Sequence, residues 1–423
     1  MHCSMDRNEM LGELAGMPPV PAVKRSTVVY RHMRDPALLR YYYGMKTMNL
    51  LDRLDLSGSS PTDIFIGRYG YPKVYIGPLV PPEFGDTSIL GTPERWDNMT
   101  MDDIVSMRSR LVRGVHVSNV HSVESGIIEE QVRDLALAAR PAVTDLTFTR
   151  KPFIRMALQD EVQPFGPSAV MKDMSIGNTT ANRDVEALYG DTDAKATTAM
   201  AELYDKGLPV SKIQQGLSAG LFGLKGNRRF VPTRWSITAV DDTLSKRLRE
   251  EIKAYSSIDS VRAYYNVALD NRWLIFFVPG SWSYESIEAW WPKTVWNENG
   301  KDISIYSSHE GYRGRSTYAE IGGCYYAARL AVAEKLKELG GQATVLILRE
   351  VHDGYTMPVG VWNVREHVRQ TLQGMPHILH DTKDMMALIS QRLDIPVKTW
   401  MANSAVLRDL VSQRSLRSYI TQG

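Results

Sequence analysis

The sequence predicts a mixed α/β fold of the α+β kind, and three observations carry that expectation. Short β-rich runs recur at 64–82 and 261–283, and residues 181–222 carry mostly helical periodicity. After residue 300 the order becomes strand, loop, helix, strand.

The elements follow in chain order. "DPALLRYYYGMKTMNLLDRL" places Leu38, Tyr42, Met45 and Met48 or Leu50 at helical spacing, and "SGSSPTD" then breaks the chain. "IFIGRYGYPKVYIGPLVPP" reads as a hairpin or bent strand pair around a Gly/Tyr/Pro turn, followed by a long irregular connection through "FGDTSILGTPERW". "MTMDDIVSMRSRLVR" is expected as helix and "DLTFTRKPFIRMAL" as strands. In "RRFVPTRWSITAVDDTLSKRLREEIKAY" the period changes from two to about 3.6 near Asp241, which predicts a strand and then a helix capped by Asp241 or Asp242. "VRAYYNVALDNRWLIFFVPGSWS" predicts a strand pair turning at Asp270-Asn271. Beyond it come strand "ISIYS", loop "SHEGYRGRS", a helix from about Thr317 to Leu339, a stop at Gly340-Gly341, and the strand "ATVLILREV". That last strand is apolar enough to be buried on both faces. The texture divides the chain into a segment at 1–60, a larger part at 61–300, a smaller part at 301–412 and a tail at 413–423.

Composition excludes several classes. With 43% apolar and 23% charged residues, the 423-residue chain can build a sizeable core. No apolar run is long enough to span a membrane, and the N-terminus has no apolar signal segment, so a cytoplasmic protein is expected. Cys3 and Cys324 are the two cysteines, too few for a disulfide framework or a four-cysteine zinc site. The net charge of +2 decides nothing about nucleic acid, because a local basic patch suffices for phosphate contacts.

Two segments have the chemistry of such a patch. "KGNRRFVPTR" carries Lys225, Arg228, Arg229 and Arg234 without an acid, with Phe230 or Trp235 at hand to stack on a base; a solvated strand edge is the plainer reading. "IGRYGYPKVYIG" sets Arg68, Tyr69, Tyr71 and Lys73 around a tight turn, where rings could stack on bases or pack across strands. The loop "SHEGYRGRSTYAEIGG" is the candidate active segment. It puts His309 and Arg315 ahead of a helix N-terminus that favours anions, with Glu320 expected in the first helical turn and His309 or Glu320 as general base. The helix dipole alone also accounts for Glu320 there, and no P-loop or dinucleotide fingerprint is present. Glu350, His352 and Asp353 in "REVHDGY" match no strong ligand motif, so no metal site is assigned and no cofactor is specified. The aromatic cluster Trp282, Tyr284, Trp290, Trp291 and Trp296 is expected in the core.

The tail raises a separate question. The helix "SAVLRDLV" carries Val406, Leu407, Leu410 and Val411 on one stripe, but the next stripe positions are Arg414 and Arg417. Apolar residues fall out of phase instead, at Leu416, Tyr419 and Ile420, and a single 3₁₀ turn would align Gln413, Leu416 and Tyr419 on one edge. Such an edge suits a partner's pocket. The pattern resembles the motif with which proteins dock on the sliding clamp PCNA: glutamine, an aliphatic residue, then a large apolar pair, here Tyr419-Ile420.

The body resembles the archaeal Nre family of DNA repair proteins through "IFIGRYGYPKVYIGPLVPP", "FVPTRWSITAVDD" and "PVGVWNVREHVR". The resemblance implies a response to DNA damage with PCNA and DNA as partners. Family members often begin with a cysteine-rich, zinc-finger-like segment; here His2 and Cys3 alone stand there, so no metal site is carried over. A clamp-recruited DNA-binding factor is the leading expectation. The alternatives are a nuclease or a nucleotidyl- or ADP-ribosyl-type transferase working at 309–320, and an RNA- or nucleotide-binding module.

Overall fold

Residues 53–153, 162–294, 296–297, 300–355 and 357–412 are described in the computed structural model of the chain. Among them, eleven α-helices accompany two six-stranded sheets of mixed direction, the α+β class expected. The helix expected around 35–54 falls almost wholly outside the described residues, and the tail 413–423 falls entirely outside them.

The first sheet contains β1 (Asp55–Ser60), β2 (Lys73–Ile76), β3 (Leu79–Val80), β4 (Val112–Asn119), β5 (Ala142–Phe148) and β6 (Ser168–Ile176), in spatial order β1-β5-β6-β4-β2 with β3 also on β4. The "SGSS" run is therefore strand rather than a break. Its glycine has a packing reason: a Cβ at Gly58 would stand 1.8 Å from the Pro81 carbonyl oxygen, so only glycine lets the 81–83 backbone cross there. The expected hairpin is present, with Phe65 N donating to Gly77 O and Gly67 N to Tyr75 O, both at 2.8 Å. Helix α1 (Met101–Ser109) starts at a reciprocal Thr100–Asp103 capping box, and α2 (Ile127–Leu137) lies between β4 and β5 in the chain.

Three short helices fill the expected helical stretch: α3 (Arg183–Gly190), α4 (Ala196–Asp205) and α5 (Val210–Ser218). The next element corrects the sequence reading. Helix α6 runs unbroken over Thr233–Ile252 behind Pro232, where a strand and a later cap were expected. Its buried face is Ser236, Ile237, Val240, Asp241, Leu244, Ser245, Leu248 and Arg249, spaced three and four apart. Half of that face is polar, so apolar periodicity conceals it. Asp241 caps nothing; it is fully buried and bonds Arg365 at 2.9 and 3.1 Å.

The second sheet comprises β7 (Val261–Ala268), β8 (Asn271–Pro279), β9 (Ser283–Trp290), β10 (Ser304–Glu310), β11 (Ala343–Val351) and β12 (His377–Leu379), in order β10-β9-β11-β8-β7-β12. The β7–β8 turn sits one residue earlier than expected: Leu269 and Asp270 have φ of +48° and +56°, a tight hairpin with both central residues left-handed. Helix α7 (Gly323–Leu339) stops at Gly340 and starts six residues later than expected. After β11, four helices complete the described chain together with β12: α8 (Trp362–Gln373), α9 (Thr382–Arg392), α10 (Val397–Asn403) and α11 (Ala405–Ser412). Residue 300 lies between β9 and β10, which pair antiparallel from end to end.

Central strand β11 is parallel to β9 and antiparallel to β8, and Val345, Leu346, Ile347 and Leu348 are fully buried. Val345 and Ile347 join a core that continues through α6, α7 and α8 to the first sheet. Leu346 and Leu348 face the other way, onto Met385, Ile389, Trp400 and Leu407 of the C-terminal helices. The strand is thus covered on both sides, as its composition predicts. Leu346→Ala should lower the unfolding free energy by roughly 2–5 kcal/mol, read as a shift in urea midpoint at unchanged slope.

Candidate nucleic-acid interface

The hairpin and the start of α6 are tied together by backbone. Thr233 N donates to Ile66 O at 3.0 Å, and Ile66 N donates to Thr233 Oγ1 at 2.9 Å. This fixes Arg68, Tyr69 and Tyr71 beside Arg234 and Trp235. The Tyr71 and Trp235 rings meet at 5.4 Å, and the Arg68 guanidinium lies 5.1 Å over Tyr69, whose ring is 69% exposed. Arg68, Arg234 and Trp235 line one side of a cleft of about 580 Å³, and Tyr318, Glu320 and Gly322 line the other. Lys73 is exposed on the same hairpin.

The remaining basic residues of "KGNRRFVPTR" do not join this surface. Lys225 begins a 3₁₀ turn, and Lys225 and Arg229 are exposed without lining the cleft. Arg228 is turned inward: its guanidinium donates to the carbonyls of Gly223, Tyr189 and Asp191 at 2.8, 2.6 and 2.7 Å and lies over the Tyr189 ring. That commits Arg228 to holding the fold.

At the opposite wall, Arg315 organises the 309–320 loop. It donates to both Glu320 oxygens at 2.9 and 2.8 Å and to the carbonyls of His309 and Tyr318. Ser308 Oγ donates to the same carboxylate at 2.7 Å. The Arg315 bond, then the Ser308 bond, pull the Glu320 carboxyl down to about 2, which suits a fixed anion and opposes a role as base. Glu320 precedes the helix rather than sitting in its first turn. The His309 ring is exposed on the other face of β10 from Ser308 and bonds Ser283 Oγ at 3.1 Å. The structure therefore joins Arg315 with Glu320 and leaves His309 apart.

Between Glu320 and α7, Gly322 adopts φ +62° and ψ −141°, a conformation suited to glycine, and no side chain caps the helix. A second cavity of about 290 Å³ opens at this bare N-terminus, lined by Glu288, Trp290, Trp296, Tyr306, Gly323 and Cys324 among others. It shares Arg234, Glu320 and Gly322 with the larger cleft, so the two adjoin. Trp282, Tyr284 and Trp290 are core as expected, but Trp296 is 48% exposed. Sequence reasoning did not single out Glu288 or Cys324. The signal for Cys324 was the Gly322-Gly323 pair before it; Glu288 had none, because its partner Arg349 is 61 residues away and bonds it at 2.7 Å.

Glu350, His352 and Asp394 bring potential ligand atoms within 4.8 Å of one another, with Asp394 in place of the Asp353 considered from sequence. Arg272 already supplies a cation there, at 2.5 Å from Asp394 and 3.8 Å from Glu350, and Glu350 accepts from the backbone of Asp394 and Ile395. The cluster is accounted for as a structural ion pair. Among the described residues no helix is long and apolar enough to cross a membrane.

An exposed basic and aromatic hairpin thus faces a polar cleft on an α+β body. Comparison with known proteins gives the lineage. The model of the archaeal Nre N-terminal region matches residues 34–297, and that of the Nre C-terminal region matches 310–419. DNA repair protein NreB of Archaeoglobus fulgidus is 40% identical over 355 residues, covering 84% of this chain and 89% of the relative. DNA repair protein NreA of Haloferax volcanii is 38% identical over 328 residues, covering 75% and 78%, and NreA of A. fulgidus is 33% identical over 369, covering 86% and 91%. The chain belongs to the archaeal Nre family.

The Arg315–Glu320 clasp has a pH signature. Glu320 is depressed from 4.5 to about 2, so its contribution is complete above the unfolded value and is lost as pH falls toward the folded one. Wild type should exceed Glu320→Gln in stability at about pH 5, and the gap should narrow by about pH 3. Urea titrations of both proteins at the two pH values measure it.

Proposed function

We propose that this chain is an archaeal DNA repair protein that contacts DNA through the Arg68–Trp235 surface and is recruited by the sliding clamp PCNA through its C-terminal tail. The observation that carries the DNA contact is the junction of hairpin and helix: Tyr71 against Trp235, with Arg68 and Arg234 on the same cleft. Rings accept unstacked bases of any sequence, and the cations follow phosphates. Relatives named DNA repair proteins support the process. Catalysis at 309–320 has less support, since His309 and Glu320 do not converge and Glu320 is held ionised.

The salt dependence of single-strand binding tests the surface. Arg68→Ala with Lys73→Ala should reduce the slope of log affinity against log salt by about 1.4, two phosphates at roughly 0.7 each. Tyr71→Ala with Trp235→Ala should weaken binding while leaving the slope, because stacking releases no counterions. Arg228→Ala should lower stability and leave the slope unchanged. An unaltered slope in the first variant would show that phosphates are held elsewhere.

The clamp contact rests on Gln413, Leu416, Tyr419 and Ile420. Helix α11, from which this segment continues, is anchored by the buried Glu285, which accepts from Ser404 Oγ at 2.6 Å and from the amides of Ala405 and Val406 at 2.9 and 3.0 Å. Burial of Leu416 and Tyr419 would contribute roughly 1.5–3 kcal/mol each, less the entropy of ordering the segment, which points to a Kd of about 1 μM. Leu416→Ala with Tyr419→Ala should abolish binding to the cognate clamp in calorimetry and leave folding and direct DNA binding intact. Equal heats for wild type and variant would move the docking element elsewhere.

A further inference from the structure

The smaller cavity has features that a phosphate-and-stacking surface does not require. Its wall is mostly apolar and aromatic, with Trp290 buried and Trp296 and Tyr306 about half exposed at 48% and 49%. Two carboxylates line the cavity: Glu320, clasped by Arg315, and Glu288, itself 5% exposed. One Glu288 oxygen is held by Arg349 at 2.7 Å. A carboxylate fixed on one side by an arginine and lining the cavity beside aromatic rings can accept from a donor on a ligand. At about 290 Å³ the cavity sits at the small end of ligand sites, enough for one base and its sugar but not for two. The larger cleft leads from it to Arg68 and Trp235.

Resting on the DNA contact proposed above, we infer that the cavity at Glu288, Trp296, Tyr306 and Cys324 receives a single unstacked nucleobase from a strand held on the Arg68–Trp235 surface. The two exposed rings offer stacking faces, and removing a base from its neighbours is cheapest in single strands or at damaged positions. The Glu288 carboxylate selects among bases. It accepts from an exocyclic amino group, as acidic side chains do from cytosine N4, and repels a carbonyl at the same edge. Adenine, cytosine and guanine each carry such a group, and thymine does not.

Cys324 supplies a readout inside the cavity. In a Cys3→Ser background it is the sole thiol, so its alkylation by iodoacetamide, followed by mass spectrometry, reports occupancy. Deoxyadenosine and deoxycytidine monophosphates should slow alkylation about 5-fold or more at saturation, thymidine monophosphate less, and deoxyribose 5-phosphate not at all. Trp296→Ala and Tyr306→Ala, each at an exposed ring, should lose the protection while retaining the parent's melting temperature. Equal protection by all four compounds, or by none, overturns the inference. A short single strand on the same samples separates it from the surface reading. If the strand binds with salt-dependent affinity and leaves Cys324 equally reactive, the base pocket falls and the surface stands. If the monophosphates protect and no strand binds, the cavity remains a nucleobase site and the surface reading falls.

Discussion

The placement of the cleft depends on a buried ionic knot between α6, α7 and β10. Glu310, at the end of β10, accepts from Arg329 of α7 at 2.7 Å, from Arg249 of α6 at 3.3 Å and from the Trp282 indole at 3.1 Å. Arg329 also bonds Asp242 of α6, so one guanidinium bridges helix, helix and strand. Burial alone would raise the Glu310 carboxyl, yet Arg329 and Arg249 together bring it below its ordinary value. Such a knot contributes little net stability, because desolvation offsets most of the attraction, but removing one member strands a charge in the core. Its effect is geometric. It ties α6 to α7, and the cleft is lined by the first turns of α6 and by the loop that leads into α7, with Arg68 of the hairpin beside them.

A second buried pair works at the far side of the same helix. Asp241 of α6 meets Arg365 of α8; burial pushes Asp241 up to about 6 against the pull of that arginine. Asp241 and Asp242 are adjacent yet face different partners, one toward α8 and one toward α7. Helix α6 is therefore held on two sides by charge and on its apolar stripe by Ile237, Val240, Leu244 and Leu248. Two-sided holding explains why the pair reads as a cap in sequence. Consecutive acids ahead of a helical pattern are the usual sign of an N-terminus, and nothing local distinguishes buried acids from exposed ones.

What was legible in the sequence follows from how local each signal is. The β11 strand, the hairpin at 64–78, the 181–222 helices and the stop at Gly340 depend on side chains within a few residues of one another, and all are present. The start of α7 was not legible, because Thr317 to Glu320 imitates a first turn until Arg315 folds back and clasps Glu320 ahead of it. The site was half legible for the same reason. Arg68, Tyr71 and Arg234 carry their chemistry on their faces, but that they meet depends on Ile66 pairing with Thr233, 167 residues away. Glu288 needed Arg349, and Arg228 needed three carbonyls, before either could be assigned a place. Isolated basic residues on a sequence do not reveal which of them the fold has already used.

The first family match ends in the connection between β9 and β10, where a sequence boundary near 300 is also visible, and the second begins at Glu310, the last residue of β10, yet those strands pair along their length. The division is thus one of sequence texture. In space, the strands on either side form one sheet, and one core runs from the first sheet through α6 and α7 to β11. The cavity takes Glu288, Trp290 and Trp296 from before this point and Tyr306, Gly323 and Cys324 from after it. Neither part alone holds a complete wall. A ligand in that cavity would therefore touch both parts at once, and its binding free energy would add to the folded state of the whole body rather than to one part of it.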